Sequence, residues 1–348
     1  MKFGPVRLED APGKILGHNV AGPDGRRLLR KGRPLSAADV ETLRGLGRSV
    51  VYVAEPGPGD VGEDEAARRV ALAAAGAGIE TAAPSAGRAN LIARERGVLR
   101  LDAERLTALN LSEGVCLSTL PRDAAVSPRQ IVATVKVIPY AVAFETLARA
   151  VDAAAKGGPL LYLDPLPPRR VGLILSGSPS AASRVTRDFD APLRSRVEAL
   201  GSSVGWVEFV PLEDEAGEEA LAQALRRQAE AGAGLIVLAG ETAIVDRGDI
   251  APRAIERAGG EIAGFGAPVD PGNLLLVAYL GTVPVVGAPG CARSRKVNVV
   301  DWVLPRLLAG ERLSRRDIAA LGAGGLLEDV PERPMPRTPR LAPAGSAN

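Results

Sequence analysis

Asp246 and Asp249 stand three residues apart, directly behind a glycine turn that reads Ala239-Gly240-Glu241-Thr242. Paired carboxylates at that spacing have the oxygen chemistry to hold a hard cation such as Mg²⁺ or to orient a reacting phosphate. The turn is one of four that are centred on glycine, each expected to follow a hydrophobic strand. The others are Leu175-Ser176-Gly177, Pro271-Gly272-Asn273 and Ala288-Pro289-Gly290-Cys291-Ala292-Arg293-Ser294. Glycine lets the backbone turn sharply and approach a ligand closely. Backbone N–H groups in such turns, backed by helix N-termini, form anion sites that suit phosphate. Arg293, Arg295 and Lys296 add cations after the last turn, where arginine can grip phosphate through two bonds and lysine acts as a point charge. The pattern points to a phosphorylated small molecule. Ser176, Gly177, Gly240, Glu241, Thr242, Pro271, Gly272, Asn273, Pro289, Gly290, Cys291, Arg293, Ser294 and Lys296 are the binding candidates. Asp249 and Asp246 are the catalytic candidates, and Asp249 is the metal candidate.

Each of these residues also has a plainer reading. Asp249 would serve as the N-cap of the next helix, with Asp246 merely solvated. Glu241 is either a second metal-side carboxylate or a loop charge facing water. The basic residues after Gly290 could form an ordinary first turn, although cations at a helix N-terminus oppose its dipole and call for a compensating anion. Cys291 is either a thiol made acidic by its cationic surroundings or a small buried filler. Ser176-Gly177-Ser178 either touches the ligand or is only a strand-to-loop turn. Arg184, Arg187 and Arg194 either line the pocket or cover a solvated helix face. His18 reads as a packed or solvated residue near a turn, and Cys116 as a core residue.

The elements that must position these groups are legible in the second half of the chain. Val171 to Leu175, Val204 to Val210, Leu235 to Ala239, Leu274 to Leu280 and Val283 to Val286 read as short strands. Between them lie a helix ending near Leu200-Gly201, an amphipathic helix over Ala220 to Ala229, and one over Pro252 to Ala258; a last helix holds Val299, Trp302, Val303 and Leu307. Leu235 to Ala239 carries no charge, as a central parallel strand should. Alternation of β and α at these lengths predicts a doubly wound, mostly parallel sheet over residues 169–325, with ligands at the C-terminal strand ends.

The first half predicts a mixed α/β region. Residues 1–54 read as a small α/β unit, with strands at Ile15 to Ala21 and Val50 to Ala54 and a helix from Ala37 to Leu46 behind Ser36. A Pro/Gly linker then opens residues 55–168, where a helix over Glu63 to Ala75 leads in. Strands at Gly97 to Leu101 and Gln130 to Ile138 and helices capped at Asp102 and running from Ala143 to Ala155 follow. Residues 326–348 lose all pattern and read as a disordered tail.

Composition excludes several classes. The 348 residues are 46% hydrophobic and 24% charged, with a net charge of +2 and only 3% aromatics. Such a chain has no global electrostatic footprint for nucleic acid and few rings for stacking bases. Two distant cysteines and one histidine leave almost no material for a zinc site or a His-based triad. No apolar run approaches the roughly 20 residues needed to span a bilayer, and the opening residues lack the apolar stretch of a signal peptide. The expectation is a soluble, cytoplasmic protein.

The C-terminal part, about residues 170–310, resembles the molybdopterin-binding domain of the MoeA and MogA families of molybdenum cofactor biosynthesis. Gly240 to Ala254 is similar to the family's Gly-Gly-Thr turn followed by an Asp and a helix opening near a Pro. Pro271-Gly272-Asn273 matches a Pro-Gly-Lys turn, Pro289-Gly290-Cys291 a Pro-Gly-Asn turn, and Asp188-Phe189-Asp190 an Asp-Ser-Asn. The whole chain, opening Met-Lys-Phe-Gly-Pro-Val, resembles members often fused to a MobA-like nucleotidyltransferase, here without that domain.

The resemblance implies binding of molybdopterin or its nucleotide form, with molybdate insertion into adenylated molybdopterin and Mg²⁺ as the MoeA-like chemistry. It also implies a homo-oligomer. In that scheme the turns hold phosphate and pterin, Asp249 positions metal or water, and Arg293 and Lys296 neutralise phosphate. Three family positions are altered: Glu241 stands for a glycine, Asn273 for a lysine, and Cys291-Ala292 for Asn-Pro. Each change weakens the carry-over of catalysis more than that of ligand binding. The alternatives are therefore a non-catalytic carrier serving a separate transferase, a CinA-like nucleotide pyrophosphatase, and an interaction module.

Overall fold

The computed structural model describes residues 1–212 and 215–327, which include two compact units divided between Pro165 and Leu166. The tail expected over 326–348 lies outside the described residues from 328 onward. Its first two residues are not loose: Leu326 bridges Asp270, and the Leu327 N–H donates to the Asp270 carbonyl at 2.9 Å.

The first unit has two hydrophobic cores. The smaller, built from Leu8, Leu16, Leu35, Leu43 and Val53 among others, lies in residues 1–53. Its sheet pairs Val50–Glu55 antiparallel with Lys2–Arg7 on one side and Ile15–Leu16 on the other. The helix Ala37–Gly45 starts where expected because Ser36 and Asp39 cap each other's backbone N–H groups. The strand expected over Ile15 to Ala21 is broken into Ile15–Leu16 and Val20–Ala21, which belong to different sheets.

The larger core of the first unit gathers Val70, Leu91, Leu99, Leu117, Val135 and Leu161. Around it lie an antiparallel four-stranded sheet, a three-stranded sheet and the helices Glu63–Ala74, Ala103–Asn110 and Phe144–Ala155. Asp102 caps the second of these by accepting from the Glu104 and Arg105 N–H groups, both at 3.1 Å.

The second unit is built on one six-stranded sheet. Its strands are β1 (Arg170–Gly177), β2 (Ser203–Pro211), β3 (Leu235–Gly240), β4 (Glu261–Phe265), β5 (Leu276–Leu280) and β6 (Val283–Gly287). The spatial order is β2-β1-β3-β6-β5-β4. The pairs β1/β2, β1/β3 and β3/β6 are parallel, while β5/β6 and β4/β5 are antiparallel. The sheet is therefore mixed, and the parallel part of the mostly parallel sheet expected from β/α alternation stops at β6. Leu280 pairs with Val283 across a two-residue turn, Gly281-Thr282, and a connection that short can join only antiparallel strands. β4, which carries no strong apolar run, escaped the sequence reading.

Helices α1 (Ala182–Ala199), α2 (Glu215–Glu230), α3 (Ile250–Arg257) and α4 (Val299–Leu308) pack around this sheet. Leu221 and Leu225 of α2 and Ala254 and Ile255 of α3 cover one face, against Ile174, Ile236, Leu276 and Val285. Leu173 and Leu175 alternate to the other face. There α1 turns in Val185, Phe189, Leu193 and Val197 at intervals of four. The Asp188-Phe189-Asp190 segment thus lies inside a long helix, with Phe189 in the core.

One buried group in this unit is a defect. The Gln228 side chain of α2 is 3% exposed, and among the described residues neither its Oε1 nor its Nε2 has a hydrogen-bond partner. It fills the space over Gly172, where a Cβ would overlap it. An unsatisfied buried amide costs about 1–3 kcal/mol. Gln228→Met, which keeps the length and removes both polar atoms, is expected to raise stability by about 1 kcal/mol. The urea midpoint followed by tryptophan fluorescence checks this, because Trp206 and Trp302 both lie in the second unit.

Candidate functional site

The C-terminal ends of β1, β3 and β6 open into a cavity of about 250 Å³. Ser176, Gly177 and Ser178 line it from the end of β1, Gly240, Glu241 and Thr242 from the end of β3, Ala288 after β6, and Asp249 ahead of α3. Leu212, Leu221, Leu238, Ile244 and Ile250 make its apolar floor and wall. Because whole ligand pockets are usually about 300–1,000 Å³, this cavity seats part of a ligand rather than enclosing one.

Close backbone approach explains two of the glycines. A Cβ at Gly240 would lie 2.8 Å from the Ser176 Oγ. Gly177 has φ +156°, and a Cβ there would come within 2.7 Å of the Glu241 Cβ. The Glu241 N–H donates to the Ser176 carbonyl at 2.8 Å, drawing the two turns together.

Glu241 does not face water freely. Its carboxylate accepts the Ser178 N–H at 2.9 Å and the Ser178 hydroxyl at 2.8 Å, and it pairs with the Arg184 Nη2 at 2.7 Å. The two Ser178 bonds, with Arg184 beside them, hold this carboxyl below the usual range, so it is ionised at neutral pH. Arg184 therefore reaches the site, whereas Arg187 pairs with Asp188 and Arg194 with Asp190 on the helix surface.

Asp249 is at the N-cap of α3, but its side chain makes no cap bond. One oxygen, Oδ2, instead accepts the Val245 N–H at 2.6 Å and the Asp246 N–H at 3.0 Å, tying the loop back on itself. Asp246 is exposed and accepts the Gly248 N–H at 2.7 Å, and it does not line the cavity. Among the described residues no group of three or more His, Cys, Asp or Glu side chains gathers where it could hold a metal ion.

Apart from Ala288, the other two turns lie outside the cavity lining, and they meet at the start of α4. Pro271, Gly272 and Asn273 sit in the loop between antiparallel β4 and β5, several residues beyond β4 rather than directly after a parallel strand. The Val299 N–H donates to the Pro271 carbonyl at 3.3 Å. The segment Pro289, Gly290, Cys291, Ala292, Arg293, Ser294 forms a single short 3₁₀ turn and then a loop that includes Lys296. α4 begins only at Val299, capped reciprocally by Asn298 and Asp301. The cations are therefore in a loop before the helix and not in its first turn, so the helix-dipole argument for a compensating anion does not apply to them.

That loop is held from behind. The Arg196 guanidinium of α1 donates to the Ala292 carbonyl at 3.1 Å, the Ser294 carbonyl at 2.8 Å and the Lys296 carbonyl at 3.0 Å. It also pairs with Asp301 at 2.9 Å. Nothing in the sequence marked Arg196, because its partners are backbone carbonyls roughly 100 residues away. Burial pushes the Cys291 thiol up, opposite to what an acidic, reactive thiol requires, so the packed-filler reading is the one the geometry favours.

Residues 5–55 match a family described as a domain of unknown function (DUF8806). No curated protein matches the chain. Among solved structures, the chain is similar to a molybdenum cofactor biosynthesis protein from Pyrococcus furiosus, with 13% identity and a TM-score of 0.27. That match covers 89% of this chain and 64% of the other, so the chain spans just under two thirds of that protein's length. It is similar to the molybdopterin biosynthesis MoeA protein from Pyrococcus horikosii at 13% identity and TM-score 0.30, covering 89% and 75% of the two chains. A third, the molybdopterin biosynthesis Mog protein from Mycobacterium ulcerans, matches at 18% identity and TM-score 0.26, over 39% of this chain and 91% of the other. Likeness at this level does not define function.

Proposed function

We propose that the chain binds molybdopterin, or a nucleotide-linked form of it, and acts in molybdenum cofactor assembly. The observation that carries this reading is the cavity at the C-terminal ends of β1, β3 and β6. Its rim is made by the residues that resemble the MoeA and MogA pattern: Gly240, Glu241 and Thr242, with Asp249 ahead of α3. Ligands of open α/β sheets sit at this end. The apolar floor suits a flat ring edge, and the Ser178 donors and Arg184 suit a phosphate.

Within this reading the enzyme form performs molybdate insertion into adenylated molybdopterin, possible only if Asp249 or Asp246 contributes charge at the reacting end. The carrier form, delivering ligand to a separate MobA-like transferase, is favoured by a specific observation. One oxygen of the Asp249 carboxylate already accepts two loop N–H groups, and Asp246 does not line the cavity.

Asp249→Asn separates the two, because the amide oxygen can accept the same two N–H groups while the charge is removed. Titration with molybdopterin and with adenylated molybdopterin, followed by pterin fluorescence, is expected to saturate for both the wild type and Asp249→Asn. Molybdate-dependent turnover lost at least a hundredfold in Asp249→Asn supports the enzyme form. Binding with no turnover in either protein supports the carrier. Absence of binding in both overturns the pterin reading, and pyrophosphate release from a dinucleotide would replace it with the CinA-like one.

A further inference from the structure

We propose that the Glu241 carboxylate is a built-in anion occupying the seat that the phosphate of a ligand takes, so that phosphate binds this chain only by displacing it. The inference rests on reading the cavity as the site of a phosphorylated ligand, and it assigns Glu241 the role of a specificity-determining residue there.

The seat is made of three donors from one side of the cavity. They are the Ser178 N–H, the Ser178 hydroxyl and the Arg184 guanidinium, with the Ser180 hydroxyl 3.2 Å from that of Ser178. A backbone N–H, a hydroxyl and a guanidinium converging on one point are the donor set that recognises a phosphate oxygen face. The group now in that seat comes from another strand, 63 residues along the chain, and it is an anion. It fits there because Gly177 has no side chain: a Gly177 Cβ would come within 2.7 Å of the Glu241 Cβ and 3.0 Å of its carboxylate.

Two anions cannot share three donors at these distances. A phosphate 3–4 Å from an ionised carboxylate meets repulsion in place of attraction, so one must leave. Glu241 can leave. Its side chain is 28% exposed and that of Arg184 is 48% exposed, so rotation toward solvent breaks no core packing. The contact is thus a latch. If the latch is closed nine-tenths of the time or more, apparent phosphate affinity falls by about tenfold or more, since only the open fraction binds. Ligands lacking an anionic group at this end do not meet the penalty.

The test uses the full chain and inorganic phosphate, monitored by calorimetry and by the Ser178 amide resonance. Glu241→Gly is expected to bind phosphate at least tenfold more tightly than the wild type. Glu241→Gln, which keeps the side chain's shape, is expected to change in the same direction by a smaller factor. Adding Arg184→Ala to Glu241→Gly is expected to abolish the gain. Equal affinity in the wild type and both single variants overturns the proposal. A gain that survives Arg184→Ala also overturns it, because the phosphate then sits elsewhere. Thermal unfolding establishes that each variant is folded, and Glu241→Gln carries the test if Glu241→Gly is not. Titration of the same proteins with molybdopterin keeps the two ideas apart: a phosphate gain without pterin binding leaves the latch standing and removes the pterin reading.

Discussion

Arg196→Ala is expected to lower the stability of the second unit by about 4 kcal/mol, within the range for removing one member of a buried ion pair. The Arg196 side chain is only 9% exposed. Its loss strips donors from the Ala292, Ser294 and Lys296 carbonyls and, among the described residues, leaves Asp301 its cap on the Asn298 N–H, at 2.8 Å. Asp301 is 29% exposed, so water recovers part of its solvation, which keeps the effect below the largest recorded for such deletions. Arg196→Lys is expected to recover little, because one ammonium cannot satisfy the forked set of acceptors. Urea unfolding followed by tryptophan emission measures both variants. A loss below about 1 kcal/mol, the usual worth of an exposed ion pair, would show that the guanidinium does not organise this loop.

Gly272→Ala is the second large effect, at about 3 kcal/mol of lost stability. The residue has φ +139°, a conformation that side-chain-bearing residues rarely adopt. A Cβ there would lie 2.5 Å from the Val299 Cγ1, 2.6 Å from its Cβ and 3.1 Å from its backbone N. The first two contacts could relax only by moving the buried Val299 side chain, and the third only by moving the start of α4. Overpacking of this kind costs about 1–3 kcal/mol, to which the backbone conformation adds about 1 or more. The same unfolding experiment reads it. If stability holds within about 0.5 kcal/mol while ligand affinity falls, Gly272 serves the ligand rather than the docking of α4. The motif resemblance assigned it to binding, and the contacts with Val299 give it a further role in docking α4.

The strands of the second unit were legible for a simple reason. Val171 to Leu175 and Leu235 to Ala239 are short, uncharged and bounded by turn residues, and both are buried in the centre of the sheet as β1 and β3. Helix starts were legible where a side chain caps the backbone, as at Ser36 and Asp102. β4 was not, because Glu261–Phe265 lies at the sheet edge, where little apolar surface is required. The antiparallel continuation was written in Gly281-Thr282, but the regular β/α rhythm upstream masked a signal only two residues long.

For the candidate site, sequence by itself determined which backbone positions turn at strand ends, because glycine's lack of a Cβ acts locally and needs no partner. It placed Ser176, Gly177, Gly240, Glu241 and Thr242 in such turns and offered Asp249 as a metal candidate or helix N-cap, and all six line the cavity. Only the tertiary structure decided which turns meet. Sheet order brings the ends of β1 and β3 side by side and leaves the Pro271 and Pro289 turns at the start of α4. It also decided what the charged groups do. Whether a carboxylate meets metal, ligand, amide or arginine depends on what lies within about 4 Å, and Glu241 finds Ser178 and Arg184 across 63 and 57 residues of chain. Spacing along a sequence carries no information about contacts of that range.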